Sequence, residues 1–221
     1  MKNLLFIAYQ FPPTGGAGVR RSIQFVQQLP NFGYQPIVVT VESQAIRELG
    51  KPSDWKGLEN IPPNTKIIGL PSRIHPNLIH WLQRIKVYRL VWFFLYPLFW
   101  ERGALWPLFE RKRIAKIGIE NNCKIIYTTS GPYFTILLGW WLKKKYGFRW
   151  VADIRDPLTE SYAYSFPSKI HWFITKWIEH RLLKTADHVV VNNLEVKKLY
   201  TEIYGFPVNR LSVIHNIIAH D

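Results

Sequence analysis

Seven short hydrophobic runs mark the predicted β-strands of this chain. The run Ile37-Val38-Val39 is typical, because neighbouring positions are apolar rather than alternating with polar ones. Unbroken hydrophobicity is expected of parallel strands that helices cover on both faces. The predicted strands are residues 4–9, 36–41, 66–70, 124–128, 150–154, 188–191 and 211–214.

Helical patterns separate these runs, at residues 19–32, 79–95, 106–121, 133–146, 167–184 and 194–204. Strands that alternate with helices form βαβ units with right-handed crossovers. We therefore predict an α/β fold: a doubly wound, mostly parallel, Rossmann-like sheet in a single domain over residues 1–221. A polar excursion at 43–64 and an aromatic, basic helical insertion at about 72–113 interrupt the alternation.

A glycine-rich loop follows the first predicted strand. Gly15, Gly16 and Gly18 precede a predicted helix, and Arg20 lies in its first turn. Glycines let a phosphate approach the backbone, and a helix N-terminus presents unpaired N–H groups to it. This loop is a candidate anion site at the carboxyl end of a strand, where open α/β sheets bind ligands. A glycine turn without a ligand is the alternative.

Ser130 and Gly131 follow the fourth predicted strand, before Pro132. Thr129 or Ser130 suits the cap of the next helix, with Pro132 in its first turn. Because the position is again the carboxyl end of a strand, Ser130 and Gly131 are also candidates for contact with a ligand.

Three charged residues end the fifth predicted strand: Asp153, Arg155 and Asp156. An aspartate there suits hydrogen bonds from sugar hydroxyls, and the arginine suits a phosphate. The alternative is an ion pair within the loop that only stabilises it.

The charge of the chain favours an anionic partner. Lys and Arg number 29 against 15 Asp and Glu, which gives a formal charge of +14 and a pI of about 9.9. The single cysteine, Cys123, excludes a disulfide framework and fits a reducing compartment. The N-terminus lacks the pattern of a signal peptide, so we expect a cytoplasmic protein.

The insertion interleaves aromatic and basic residues, the composition of an element that lies on anionic lipid. Single-stranded nucleic acid is bound by the same residue types, but residues 90–100 are too apolar for that role. We therefore predict an anionic membrane surface as a partner, and no nucleic acid. The helix with Lys169, Phe173 and Trp177 repeats the pattern. The membrane candidates are Arg89, Trp92, Phe93, Phe94 and Trp100.

Other chemistries find less support. Gly16 and Gly18 match the first two glycines of a dinucleotide fingerprint, and Glu42 stands near the ribose position, but Arg21 replaces the third glycine. A nicotinamide oxidoreductase is thus the weaker alternative, beside a membrane-attached binding module without catalysis. The sequence shows no Walker loop, metal-ligand spacing or serine nucleophile elbow.

Several segments, taken in order, resemble the N-terminal domain of family 4 glycosyltransferases of the GT-B architecture. These segments are the opening strand with its glycine loop, and residues 103–107, 127–132, 150–157, 186–192 and 213–216. The resemblance implies two Rossmann-like domains that face a cleft, with acceptor binding in this half. It implies a nucleotide-diphosphate sugar as donor, a glycan or lipid-linked acceptor, no metal and no cofactor.

The resemblance also implies where the substrates lie. The loop at Gly15 and Gly16 approaches the donor diphosphate, Ser130 and Gly131 line the acceptor side, and Asn192 lies near the rim of the cleft. We further expect Asp153 to bind the acceptor and Arg155 and Asp156 to be the catalytic candidates. The resemblance also implies a histidine at the end of the fifth strand, where this sequence has Arg155 as the nearest equivalent.

Family members often build cell-surface polysaccharides at the inner face of the plasma membrane, and we expect peripheral attachment there. Because the sequence ends at Asp221, we expect it to lack the C-terminal donor-binding domain. Three explanations fit this expectation: a natural truncation, a piece cut from a longer protein, or one half of a split enzyme. In the last case the partner is a separate donor-binding chain.

Overall fold

The computed structural model describes residues 1–15, 17–42, 56–72, 93, 103, 105–160 and 166–216. Seven strands form one parallel sheet in the order β3-β2-β1-β4-β5-β6-β7. Their bounds are β1 Lys2–Ile7, β2 Tyr34–Val41, β3 Lys66–Leu70, β4 Ile125–Thr129, β5 Arg149–Ile154, β6 His188–Val191 and β7 Leu211–Val213. The predicted α/β class and parallel sheet are confirmed.

Six α-helices lie among the described residues: α1 Ala17–Gln28, α2 Lys56–Glu59, α3 Trp106–Glu120, α4 Phe134–Tyr146, α5 Lys169–Lys184 and α6 Leu194–Lys198. A 3-10 turn, Leu29–Phe32, continues α1 and ends at Gly33, whose φ of 80° is left-handed. A π-helical turn, Leu199–Ile203, continues α6. Both helices were predicted as longer single helices. The α-helical pattern of α1 gives way to 3-10 geometry near Pro30, which has no N–H to donate.

Helices cover both faces of the sheet. Alternate residues of β1 point to opposite sides. Leu5 packs in the larger core cluster with Ile136 of α4, whereas Leu4 and Phe6 pack in a second cluster with Val26 of α1. This double coverage explains why the strands are apolar on both faces.

The order of strands places β1 beside β4 at the centre of the sheet. The chain leaves β1 toward β2 on one side and later returns to β4 on the other. Such a reversal opens a crevice at the carboxyl ends of the two central strands, where doubly wound folds bind ligands. The glycine loop after β1 and the Ser130 segment after β4 both lie at this crevice.

Strand bounds differ from prediction mainly at the amino ends. β1 begins at Lys2 and β2 at Tyr34, because Lys2 pairs with Tyr34 although neither is a core residue. Backbone pairing does not require an apolar side chain, so the hydrophobic pattern predicts a strand that begins too late. Most of the predicted insertion, and the predicted helix 79–95 apart from Phe93, lie outside the described residues. Among the helices described, none has both the length and the hydrophobicity to cross a bilayer.

Gly139 lies where α4 packs closely against Trp150 of the sheet. A Cβ at Gly139 would overlap the indole of Trp150, which is fully buried and donates from Nε1 to Thr128 Oγ1 at 2.9 Å. We expect Gly139→Ala to lower the free energy of unfolding by about 1–3 kcal/mol through overpacking. Without the clash, the same change in a helix would stabilise by about 0.5–1 kcal/mol.

Urea unfolding measures this difference. Lys144→Ala, at an exposed position of the same helix, is the control and should change stability little. A Gly139→Ala protein as stable as the control would show that the helix does not lie this close to Trp150.

Candidate functional site

Arg155 lies at the crevice between the two central strands. It follows β5, and its guanidinium reaches back over the carboxyl ends of the neighbouring elements. A Cβ on Gly18 would overlap Nη1 of Arg155, and a Cβ on Gly131 would lie 3.1 Å from Nη2. Gly18 is the second residue of α1, and Gly131 has a φ of +102°. Gly18 leaves room for the side chain of Arg155 where it now lies, and the left-handed backbone of Gly131 favours glycine.

The guanidinium of Arg155 makes no hydrogen bond or ion pair to any described residue. Its backbone N–H, in contrast, is fixed, because it donates to Ser130 Oγ at 2.9 Å. Ser130 is buried and its own amide donates to Asp153 O at 2.8 Å. A cation that has no counter-ion among the described residues and lies beside a helix N-terminus is suited to bind an anion.

Ser130 therefore positions Arg155 rather than capping α4. The predicted cap by Thr129 or Ser130 is wrong, because α4 begins after Tyr133 without a side-chain cap. Thr135 Oγ1 instead donates within the first turn, to Thr129 O and Pro132 O at 2.9 Å each.

Asp153 is paired with Arg21, the residue that follows the predicted Arg20. Arg21 Nη2 donates to Asp153 Oδ1 at 2.7 Å, and Nε lies 3.2 and 3.1 Å from the two carboxylate oxygens. The side chains are 3% and 1% exposed. The expected contact of Asp153 with sugar hydroxyls does not fit this geometry, because Arg21 engages both oxygens. The alternative ion pair within the loop is also wrong, since the partner is on α1.

Arg21 also holds the segment after β7. Its Nη1 donates to Ile214 O at 2.6 Å and to Asn216 Oδ1 at 3.1 Å. Burial works to lower the pKa of Arg21, but the hydrogen bond and charge of Asp153 outweigh it and raise that pKa. Burial, and then the charge of Asp153, raise the pKa of Tyr127. The pair joins α1, β5 and the end of β7.

A second buried network fixes the segment that follows Arg155. Glu179 of α5 accepts at Oε1 from Tyr133 Oη at 2.5 Å and Tyr200 Oη at 2.6 Å. The Leu158 amide donates to Oε1 at 3.2 Å, and Thr159 Oγ1 donates to Oε2 at 3.0 Å. Burial raises the pKa of Glu179, and these hydrogen bonds oppose the rise. Sequence analysis missed this carboxyl, because nothing in its helix pattern distinguishes it.

The structure places the remaining predicted residues as follows. Gly15 is half-buried after β1, and Gly16 lies outside the described residues. Arg20 is exposed on the first turn of α1, and Asp156 is exposed next to Arg155. Asn192 follows β6, three strands from β1 and so roughly 14 Å away at the usual strand spacing.

Of the membrane candidates, the structure describes Phe93 alone. Its side chain is 40% exposed, and its carbonyl lies 2.8 Å from His171 Nε2 of α5. Arg89, Trp92, Phe94 and Trp100 lie outside the described residues. Trp106, another aromatic residue of the predicted insertion, is buried in the core at 2% exposure and donates to Leu70 O.

A family comparison decides the affiliation of the chain. The family described as Glycosyltransferase Family 4 matches residues 15–221. The chain belongs to this family. The resemblance drawn from the sequence is thereby confirmed. No curated protein matches the sequence.

Solved structures support the same fold for this family 4 chain. A glycosyltransferase from Rickettsia africae ESF-5 is 18% identical, with a TM-score of 0.53 over 97% of this chain and 42% of that one. HepE of Anabaena, in complex with UDP and glucose, is 13% identical, with a TM-score of 0.56 over 99% and 45%. A ugt transferase from Siraitia grosvenorii, in complex with UDP, is 12% identical, with a TM-score of 0.56 over 100% and 52%.

The TM-scores show a shared fold, and at such low identities they show the fold alone. The predicted Rossmann-like fold is confirmed. The family 4 chain spans about half the length of the solved structures it matches. Family membership also removes the support for a nicotinamide oxidoreductase, which rested on two glycines and Glu42. Among the described residues, no group of three His, Cys, Asp or Glu could hold a metal ion.

The adjacent residues Arg20 and Arg21 give a matched test of the buried ion pair. We expect Arg21→Ala to lower the free energy of unfolding by about 3–5 kcal/mol, because it leaves Asp153 buried without a partner. Arg20→Ala, at an exposed site, should change stability by about 0.5 kcal/mol at most. Urea unfolding followed by circular dichroism measures both. Equal losses in the two variants would contradict the assigned pairing.

Glu179 gives a prediction about pH. Its raised pKa means that the folded state favours the protonated acid, so the contribution of Glu179 to stability should fall as pH rises above the ordinary glutamate value of 4.5. Glu179→Gln does not titrate. The stability of wild type minus that of Glu179→Gln should therefore decrease with pH, by at most about 1.4 kcal/mol per pH unit.

Urea unfolding of both proteins at pH 4, 5, 6 and 7, values chosen to bracket the ordinary glutamate pKa, measures this difference. His180 and His188, whose pKa values burial lowers, titrate in both proteins and largely cancel in the subtraction. A difference that stays constant over this range would show that the pKa of Glu179 is the same in the folded and unfolded states, which contradicts the raised pKa.

Proposed function

We propose that this chain is the acceptor-binding side of a GT-B glycosyltransferase. The enzyme would transfer a sugar from a nucleoside-diphosphate sugar to a glycan or lipid-linked acceptor in cell-surface polysaccharide synthesis. Family membership supports the reaction class, and the solved relatives from Anabaena and Siraitia, described with UDP, support the class of donor. A separate donor-binding chain or domain would complete the cleft.

The observation that carries this proposal is the guanidinium of Arg155, which makes no hydrogen bond or ion pair to a described residue. It lies against Gly18 near the N-terminus of α1 and against Gly131 after β4. A diphosphate at this point would receive two N–H groups from the arginine and further N–H groups from the first turn of α1. No described side chain competes for the arginine, so the anion would be its counter-ion.

The same contacts would assist the chemistry. In the transfer, the bond between the sugar and the diphosphate breaks, the acceptor hydroxyl oxygen forms the new bond to the sugar, and the proton of that hydroxyl passes to the departing diphosphate. Negative charge grows on the departing diphosphate, and a preorganised cation stabilises that charge as it develops. Asp156, exposed beside Arg155, is suited to accept a hydrogen bond from a sugar hydroxyl. Asp153 would act indirectly, by holding Arg21.

Peripheral attachment at the cytoplasmic face of the membrane is part of the proposal. Its support is the excess of basic residues, a formal +14, and the aromatic, basic composition of residues 81–116. A lipid-linked acceptor would then be reached without leaving its bilayer.

Anion binding tests the role of Arg155. We expect the chain to bind pyrophosphate and UDP, and Arg155→Ala to weaken this binding about tenfold or more, because charge-assisted hydrogen bonds are lost. Gly18→Ala should weaken it as well, by displacing the guanidinium, while the fold persists because the displaced atoms end a flexible side chain. Isothermal titration calorimetry or 31P NMR measures the affinity.

Arg149→Ala is the matched control, since this exposed arginine lies at the amino end of β5, whereas Arg155 follows its carboxyl end. It should bind as wild type does. Equal losses in Arg149→Ala and Arg155→Ala would indicate nonspecific attraction to a basic protein. No binding of either ligand by the wild type would reject an anion site in this half and favour a binding module without catalysis.

A further inference from the structure

Helix α5 exposes its apolar side and buries its acidic residue. Glu179, its one acidic residue, is 1% exposed, and Thr175 beside it is 8% exposed. The apolar residues lie outward, with exposures of 68, 63, 51, 60 and 39% for Ile170, Phe173, Ile174, Trp177 and Ile178 respectively. A surface helix of a protein in water shows the opposite arrangement.

The spacing of these residues makes one continuous stripe. They occur at intervals of three and four along the helix, so they share a face about 12 Å long from Ile170 to Ile178. Contiguous exposed apolar surface of this kind marks a site of contact with a membrane or another molecule.

The charge around the stripe identifies what would cover it. Of the eight exposed residues of α5, five are apolar and the others are Lys169, Arg181 and Lys184. Arg181 lies over the ring of Trp177 at 5.0 Å. The nearby Glu160 does not offset this charge, because it is paired with Lys176 at 2.7 Å.

We infer that the exposed face of α5 binds an anionic lipid surface. Tryptophan and phenylalanine beside lysine and arginine suit the boundary between headgroups and acyl chains. A symmetric contact between two copies of α5 is less favourable, because an isologous interface would bring the basic residues of both copies together. This inference concerns a different surface from the crevice and does not require sugar transfer.

The position of α5 links this surface to the crevice. Trp172, on the inner side of α5, donates from Nε1 to Thr159 O at 2.8 Å, in the segment that follows Arg155. His171, in the first turn of α5, contacts Phe93, one of the predicted membrane residues. If the proposed function holds, a membrane at α5 would bring a lipid-linked acceptor to the side of the cleft that Arg155 occupies.

Vesicle sedimentation of the full chain tests the inference. We expect binding to phosphatidylglycerol vesicles, weaker binding to phosphatidylcholine vesicles, and a decrease at high salt. Phe173→Ser combined with Trp177→Ser should lower the partition coefficient about tenfold or more, because two large apolar side chains no longer enter the bilayer. Phe32→Ser, at a 75% exposed position in the turn after α1, is the control and should bind as wild type.

A fluorescent probe gives a second readout. Cys123 is 4% exposed and burial raises its pKa to about 11, so a cysteine introduced by Ile174→Cys should be labelled selectively. An environment-sensitive dye at position 174 should shift to the blue with anionic vesicles, whereas one placed by Val208→Cys, 62% exposed elsewhere, should not.

Three results would overturn the inference. The first is an absence of wild-type binding to anionic vesicles, and the second is equal binding by the double variant and the wild type. The third is a dimer in sedimentation equilibrium that the double variant abolishes while no vesicle binding occurs, which would assign the stripe to contact between copies. None of these measurements uses a sugar donor, so their failure leaves the proposed transferase activity standing.

Discussion

An arginine and an aspartate that are both almost fully buried are compatible with a stable fold only when each satisfies the other. Arg21 and Asp153 meet this condition, with three donor–acceptor contacts between them and two more from Arg21 to the segment after β7. The pair ties α1, which follows β1, to the end of β5 across the intervening β4. The crevice therefore has walls fixed relative to one another before any ligand arrives, which is the condition for a preorganised site.

The two arginines near the crevice differ in what surrounds them. Arg21 is neutralised by Asp153, whereas the guanidinium of Arg155 lies beside Gly18 and Gly131 and has no acceptor among the described residues. Burial explains the difference. A charge inside the core must be paired because desolvation is costly, whereas a half-exposed charge at the edge of the sheet is stable in contact with water until an anion replaces that water.

Helix α5 connects the second buried network with the outer surface. Glu179 faces inward and gathers hydrogen bonds from Tyr133, Tyr200 and Thr159, which positions the segment after Arg155. Because the side of α5 that carries Glu179 faces inward, the opposite side, which carries the apolar stripe, faces outward. The support of the crevice and the proposed lipid contact are thus two consequences of one helix orientation.

The sequence by itself determined the fold class, the parallel sheet, the positions of all seven strands to within two residues, and the family. These features are local, since unbroken apolar runs are properties of neighbouring residues. It also identified the strand ends that form the crevice. Only the tertiary structure decided that Asp153 pairs with Arg21, 132 positions away, and that the guanidinium of Arg155 has no partner among the described residues. Because Asp153, Arg155 and Asp156 are close in sequence, an ion pair among them was the alternative that the sequence suggested. The choice between Arg20 and Arg21 depended on which side of α1 faces the sheet, and the membrane-like appearance of α5 depended on which of its sides is buried. Both are decided by packing between elements distant in sequence, which no local pattern encodes.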